Sequence, residues 1–369
     1  MIYLNNAATT WPKPPEVARA VAAAMAQDPA EYAALLRSSR SEICRFLGIA
    51  DPSRLILTPG CTSALAVSIE DLPWREGDTV VTSSLEHHAL ARPVQRLARS
   101  RGVIHRQAPC APGSPIALDF VEKELRGGSV RLVAVTAASN VTGEILPVEE
   151  IAALAHAHGA LLLVDAAQTA GVIPLDCERS GADILVFAGH KGPLGPQGVG
   201  GLWAASHVAF ESPSASCEVG AGSGPGGCLP FPGTCDTGSV NLPGVAGLAA
   251  GMAWLSARRE AGPGTGPRAL ARRLATALAD LRHVTLFGGP DVLRTATISM
   301  RIEGLPIERA EAFFRERGII VRAGSHCAAM ALQAIGAPEG TIRVSFGIFN
   351  TDQDRAAILG AVADAARAG

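Results

Sequence analysis

Up to about residue 210, short apolar runs alternate with alanine-rich stretches of helical periodicity. The runs at 54–58, 79–83, 103–107, 131–136, 160–165 and 183–188 have strand length. Between them, 63–69, 91–100, 119–126 and 148–158 read as helices. Apolar strands separated by helices predict a parallel sheet covered on both faces. Beyond this region, helices are predicted over 268–281, 308–317 and 353–367, and strands over 295–302, 319–322 and 341–346. That order predicts a smaller α+β unit. The expected fold is therefore α/β, with a large domain over 15–250 and a small one built from 1–14 and 251–369. No internal repeat is visible. The segment 211–236 is rich in Gly, Ser, Pro and Cys and reads as a long loop or lid.

Length and composition support this picture. A chain of 369 residues can bury a large core or two. The hydrophobic fraction of 48% and charged fraction of 18% are those of an ordinary globular protein. A formal net charge of -2 argues against a nucleic-acid or membrane-surface role. No apolar run approaches the roughly 18 residues needed to span a bilayer. Met1-Ile2-Tyr3-Leu4-Asn5-Asn6 does not read as a signal peptide. The eight cysteines have no regular spacing and form no Cys-x-x-Cys pair, so a reduced, cytoplasmic protein without structural zinc is expected.

In covered parallel sheets the ligand sits beyond the carboxyl ends of the strands. The polar residues fall there: Glu86-His87-His88 after one run, Ser139-Asn140 after another, Asp165 and Gln168 after a third, His190-Lys191 after a fourth. Lys191 stands out because the chain has only three lysines, the others being Lys13 and Lys123. A lysine at the end of a buried strand either snorkels to water or does chemistry that needs an amine, such as forming a Schiff base. Asp165 ends an apolar strand and needs a cationic partner if buried. A helix-capping role would satisfy it; so would a protonated pyridine nitrogen, the pairing found in pyridoxal phosphate enzymes. Pro59-Gly60-Cys61-Thr62-Ser63 is a glycine turn opening a helix. It reads either as a phosphate site or as ordinary capping by Thr62 or Ser63.

Taken in order, these segments resemble the class V aminotransferase family of fold type I, and within it the cysteine desulfurases and selenocysteine lyases. The resemblance runs from Leu4-Asn5-Asn6-Ala7-Ala8-Thr9-Thr10 to Arg343-Val344-Ser345-Phe346-Gly347. It implies that Lys191 carries pyridoxal phosphate, that His87 stacks on the ring and serves as acid or base, that Asp165 pairs with the pyridine nitrogen and that Gln168 meets the phenolic oxygen. It implies that Thr62, the backbone at Cys61, and His190 hold the phosphate, and that Asn140 and Arg343 face the substrate carboxylate. Ser239 matches a residue given to the phosphate of a neighbouring subunit, which implies a homodimer with shared active sites. Cys327, in Arg322-Ala323-Gly324-Ser325-His326-Cys327, matches the nucleophilic cysteine of the desulfurases, and a sulfur-acceptor protein would follow from it. The implied reaction converts L-cysteine to L-alanine with a persulfide on Cys327. The alternative is a C–S or C–Se lyase acting by β-elimination or on selenocysteine.

Three departures from that pattern stand out. Ala188 replaces a phosphate-binding serine, the segment around Ser239 differs, and 25–41 is shorter. Cys217, Cys228 and Cys235 have spacings that match no metal motif and read as loop cysteines.

Overall fold

The computed structural model describes residues 1–111, 113–210, 240–258 and 266–365. The strands are β1 (Ile2–Tyr3), β2 (Leu55–Thr58), β3 (Thr79–Ser83), β4 (Ile104–Ala108), β5 (Val130–Thr136), β6 (Leu161–Asp165), β7 (Ile184–Ala188) and β8 (Gly200–Ala204), then β9 (Val284–Phe287), β10 (Thr297–Ile302), β11 (Ile319–Ile320), β12 (Arg322–Gly324) and β13 (Thr341–Ser345). A seven-stranded sheet has the order β2-β8-β7-β6-β5-β3-β4. Its pairings are parallel except those of β8, which runs against both β2 and β7.

Successive residues of each central strand serve opposite cores. Leu162, Val164, Leu185 and Phe187 join a core cluster with residues of the helices Tyr32–Leu47, Val148–Ala157 and Leu242–Ser256. Leu163, Ile184 and Val186 join another with the helices Cys61–Glu70 and His88–Ser100. Both faces are apolar because both are covered, and this is why these strands read as unbroken hydrophobic runs.

The C-terminal sheet is four-stranded, order β12-β13-β10-β9, and antiparallel. The helices Gly266–Ala279, Ile307–Glu316 and Asp352–Ala365 cover it in a third core cluster that also takes Leu4. β1 pairs with β11, so the N-terminus belongs with this unit.

The predicted strands and helices are present with ends shifted by a few residues, except that the run 319–322 divides at Val321 into β11 and β12, which join different sheets. Strands β1, β8 and β9 and the helices Pro15–Met25, Tyr32–Leu47, Leu242–Ser256 and Ala329–Ala334 were not predicted. β8 opens on Gly200-Gly201 after a Gly- and Pro-rich stretch, which reads as turn. Its glycines are there for close approach. A Cβ at Gly200 would lie 2.7 Å from the Phe187 carbonyl oxygen and 3.0 Å from the Cys61 nitrogen. The shorter 25–41 segment is filled by a short 3-10 turn and the start of the helix Tyr32–Leu47. Cys217, Cys228, Cys235 and Ser239, with the 211–236 loop, lie outside the described residues.

Candidate active site

The carboxyl ends of β3, β5, β6 and β7 open on a cavity of about 540 Å³. Its wall holds Cys61, Thr62, His87, Asn140, Asp165, Gln168, His190, Lys191, Cys327 and Arg343. The described residues to which the resemblance assigns roles thus line one cavity.

At one end lies the start of the helix Cys61–Glu70. Its N-cap is Gly60, and no side chain caps it. Capping by Thr62 or Ser63 is therefore not what this turn does, and the first-turn N–H groups are available to an anion. Nearby, His190 is buried enough to be pushed down to about 4, helped by Lys191 and Lys13, and its Nδ1 has no partner. The His190 carbonyl accepts from the Lys13 ammonium at 2.6 Å and from Thr10 N at 3.1 Å, which fixes the backbone just before Lys191. Ala188 lines the same end without a hydroxyl.

In the middle, Asp165 is buried at the last position of β6. Its Oδ1 accepts from Ala167 N at 2.9 Å and from the Cys61 thiol at 3.4 Å. Burial raises its proton affinity above the usual carboxylate range. Burial likewise lowers the Lys191 ammonium from its ordinary value, against the opposing pull of Cys61 and Asp165. A buried carboxylate and a half-buried amine on one cavity wall, with no salt bridge between them, leave room for a cationic ring and a carbonyl-bearing group. Gln168 donates from Nε2 to the Ala7 carbonyl at 3.1 Å.

His87 caps the helix His88–Ser100, its Nδ1 accepting from Ala89 N at 3.0 Å. The proton of the neutral ring therefore sits on Nε2. Burial, then Lys191 and His88, push His87 down to about 4, so its ring is uncharged at neutral pH. An uncharged ring can stack on a flat aromatic cofactor without repelling a ring cation.

The mouth of the cavity is made by the loop after β12. His326 and Cys327 both adopt the left-handed conformation, with φ of 50° and 55°. Two successive non-glycine residues there are strained, and the loop is held from both sides. The His326 carbonyl accepts from Asn140 Nδ2 at 2.9 Å, and the Cys327 carbonyl accepts from His88 N at 2.8 Å. Cys327 is exposed, while Cys61 on the same cavity is only partly so. Arg343 is buried, donating to the Asn140 carbonyl at 2.9 Å and to Asn5 Oδ1 at 3.2 Å. No carboxylate among the described residues pairs with it, and its Nε has no partner. The guanidinium thus keeps a donor that a carboxylate could satisfy.

The structure adds roles that the motifs did not show. Asn5 reaches Arg343 from the N-terminal segment. Glu86, beside His87, is completely buried; its carboxyl accepts from Thr136 N at 2.9 and 3.1 Å and from the Ser83 hydroxyl. Burial pushes Glu86 up to about 8, over the opposing hydrogen bonds. A carboxyl whose native pKa is raised stabilises the fold below its unfolded value near 4.5, and that stability is lost as pH rises toward 8. Glu86→Gln keeps the neutral shape and removes the titration. The fall of Tm across pH 4.5 to 8 should flatten in this variant. An unchanged Tm–pH curve would show that Glu86 is already ionised in the native protein.

The fold is that of the fold type I pyridoxal phosphate enzymes, with a helix N-terminus, a strand-end aspartate and a lysine on the wall of one cavity. The class V aminotransferase family model matches residues 2–357, and the chain belongs to that family of pyridoxal phosphate-dependent enzymes. It is 31% identical to a probable cysteine desulfurase of Methanothermobacter thermautotrophicus, over 96% of this chain and 92% of the other. It is 33% identical to one from Pseudomonas aeruginosa, over 86% and 79%. The apo structure of a cysteine desulfurase from Thermococcus onnurineus superposes with a TM-score of 0.89 at 28% identity, covering 100% of this chain and 95% of that one. The Escherichia coli cysteine desulfurase CsdA, as its S-sulfonic acid, gives 0.84 at 26% identity, over 99% and 94%.

Proposed function

We propose that this protein is a cysteine desulfurase that converts L-cysteine to L-alanine and leaves the sulfur as a persulfide on Cys327. The observation that carries this reading is the placement of an exposed cysteine, on a tethered loop, at the cavity lined by Lys191 and Asp165. Aminotransfer and epimerisation need no thiol there.

The residues present fit the cofactor. The uncapped helix at Cys61 and Thr62, with His190, would hold the phosphate; Asp165 and Gln168 would hold the ring nitrogen and phenolic oxygen; His87 would cover the ring face; Lys191 would carry the group. Pyridoxal phosphate, when bound, supplies the electron sink that makes the substrate Cα acidic and accepts charge as bonds break.

The chain's own groups do the rest. Arg343 and Asn140 bind the substrate carboxylate, which fixes the substrate Cα relative to Lys191. Burial keeps the Lys191 amine readily deprotonated, so it can take the Cα proton. His87, whose Nδ1 is taken by Ala89 N, would offer its Nε2–H as a proton source or relay. The Cys327 thiolate attacks the substrate sulfur. The bond between that sulfur and the substrate Cβ breaks with its electron pair left on carbon, and a proton completes the alanine methyl group. One thiolate and one cysteine thus give one persulfide anion and one alanine, with no outside oxidant.

Homodimerisation with Ser239 reaching the neighbouring phosphate, handover of sulfur to an acceptor protein and a cytoplasmic location belong to the same proposal. So does the division into domains at 15–250 and at 1–14 with 251–369. No helix among the described residues is long and apolar enough to cross a membrane.

The test is product analysis of the holoenzyme with L-cysteine as sole substrate, alongside intact-mass measurement. Alanine in step with a sulfur adduct on Cys327 is the expected result. Pyruvate and ammonia in place of alanine would assign the protein to the β-eliminating lyases.

A further inference from the structure

The cavity holds a second thiol, and its position bears on the ring-nitrogen partner. Cys61 is the first residue of the helix Cys61–Glu70, and its side chain reaches across to β6. We propose that the Cys61 side chain is a positioning residue for Asp165: its thiol, together with the Ala167 N–H, fills Oδ1 and leaves Oδ2 to the cofactor's pyridine nitrogen. The inference rests on the reading of Asp165 given above and extends it to a side chain that the phosphate-binding role of this turn does not use.

Three observations support it. Both donors converge on one oxygen, Ala167 N at 2.9 Å and Cys61 Sγ at 3.4 Å, and among the described residues no hydrogen bond reaches Oδ2. Two donors on one carboxylate oxygen fix the carboxylate's rotation, which a single bond would leave free. Strand β8 packs against the turn from behind. The place a Cβ would take at Gly200 lies 3.0 Å from the Cys61 nitrogen, so the backbone that carries the thiol is seated closely on β8.

The thiol also stays a thiol. Burial and the Asp165 charge push Cys61 well above the ordinary range, so toward Asp165 it acts as a donor. This matters because burial alone favours a protonated Asp165, and a neutral carboxylic acid cannot pair with a ring cation. The Cys61 hydrogen bond favours the ionised form. The two thiols therefore divide their tasks by surroundings: Cys327 is exposed and open to substrate, whereas Cys61 is held to a carboxylate.

The experiment uses the full-length protein with Cys61→Ala and Cys61→Ser. Apoenzyme is titrated with pyridoxal phosphate to obtain Kd, and the visible absorbance of each holoenzyme is followed against pH. A thiol is a weak donor, so Cys61→Ala should raise Kd by about three- to tenfold and displace the absorbance midpoint. Cys61→Ser, with a stronger donor of similar size, should restore both toward wild type. Identical Kd and midpoint in Cys61→Ala and wild type would overturn the proposal, as would a Cys61→Ser variant as impaired as Cys61→Ala. Infrared spectroscopy of the wild-type holoenzyme gives a reading that needs no alanine variant. The S–H stretch lost in Cys61→Ser should lie below that of a free thiol and move in Asp165→Asn. A band at the free-thiol position would overturn the proposal. If the wild-type apoenzyme does not take up pyridoxal phosphate, the underlying functional reading fails and this inference fails with it. Normal uptake with a silent Cys61 defeats this inference alone.

Discussion

Cys327→Ala should still load pyridoxal phosphate and bind L-cysteine, yet release alanine slower by a thousandfold or more, on the order seen when a covalent nucleophile is removed. The structural case is that only Sγ is lost. Residue 327 sits in the left-handed region at φ 55°, and alanine and cysteine meet the same backbone cost there because both carry a Cβ. Its carbonyl keeps the bond from His88 N at 2.8 Å, and the His326 carbonyl keeps Asn140. Arg343 does not hydrogen-bond to the thiol, so carboxylate binding persists. The variant should therefore bind substrate with little change in affinity while the sulfur-transfer step stops. The outcome also separates the two activities. In β-elimination the leaving group departs without attack on sulfur, so a lyase would keep much of its rate and make pyruvate. Continued alanine formation by Cys327→Ala from L-cysteine would defeat the persulfide mechanism and leave the cofactor assignment standing.

Lys191→Ala should lose the cofactor label fixed by borohydride and drop turnover by at least a hundred- to ten-thousandfold, the range expected for a lost general acid–base group. The backbone around the site should stay as it is. The residue 191 carbonyl accepts from the Thr10 hydroxyl at 2.8 Å and from Leu194 N at 2.9 Å, and neither bond involves the side chain. A second consequence follows from burial. The native Lys191 pKa lies below its unfolded value of 10.5, so the wild-type apoprotein loses stability as pH falls from 10.5 toward that lower native value. The variant lacks this component, and its apo Tm should depend less on pH in the alkaline range. A borohydride-fixed label that persists in Lys191→Ala and maps to Lys13 or Lys123 would overturn the assignment.

Much of the candidate site was legible because ligand-facing groups in a covered parallel sheet stand at strand ends, where an apolar run turns abruptly polar. Asp165 after Leu161–Val164 and Lys191 after Ile184–Ala188 are read that way, each a charged group placed where an apolar run ends. Cys327 was legible only through the motif around it, because a cysteine in a loop has no periodic signal. Glu86 stood beside His87 in the same motif, yet its state was hidden. The sequence shows a carboxylate next to a histidine; only the fold shows that it is buried against Thr136 and Ser83 and drawn toward its neutral form.

The alternation of apolar runs and helical stretches by itself determined the α/β class, the parallel order of most strands and the edge where the chemistry gathers. These follow from local periodicity and from the need to cover both sheet faces. The tertiary structure alone decided the antiparallel insertion of β8, whose opening glycines carry no strand propensity and are chosen for close approach to Phe187 and Cys61. It alone brought Asn5 to Arg343, residues far apart in the chain. It also settled that the turn before Cys61 is left uncapped and that the Cys61 thiol faces Asp165. Such pairings depend on three-dimensional proximity between distant segments, for which a one-dimensional pattern holds no signal.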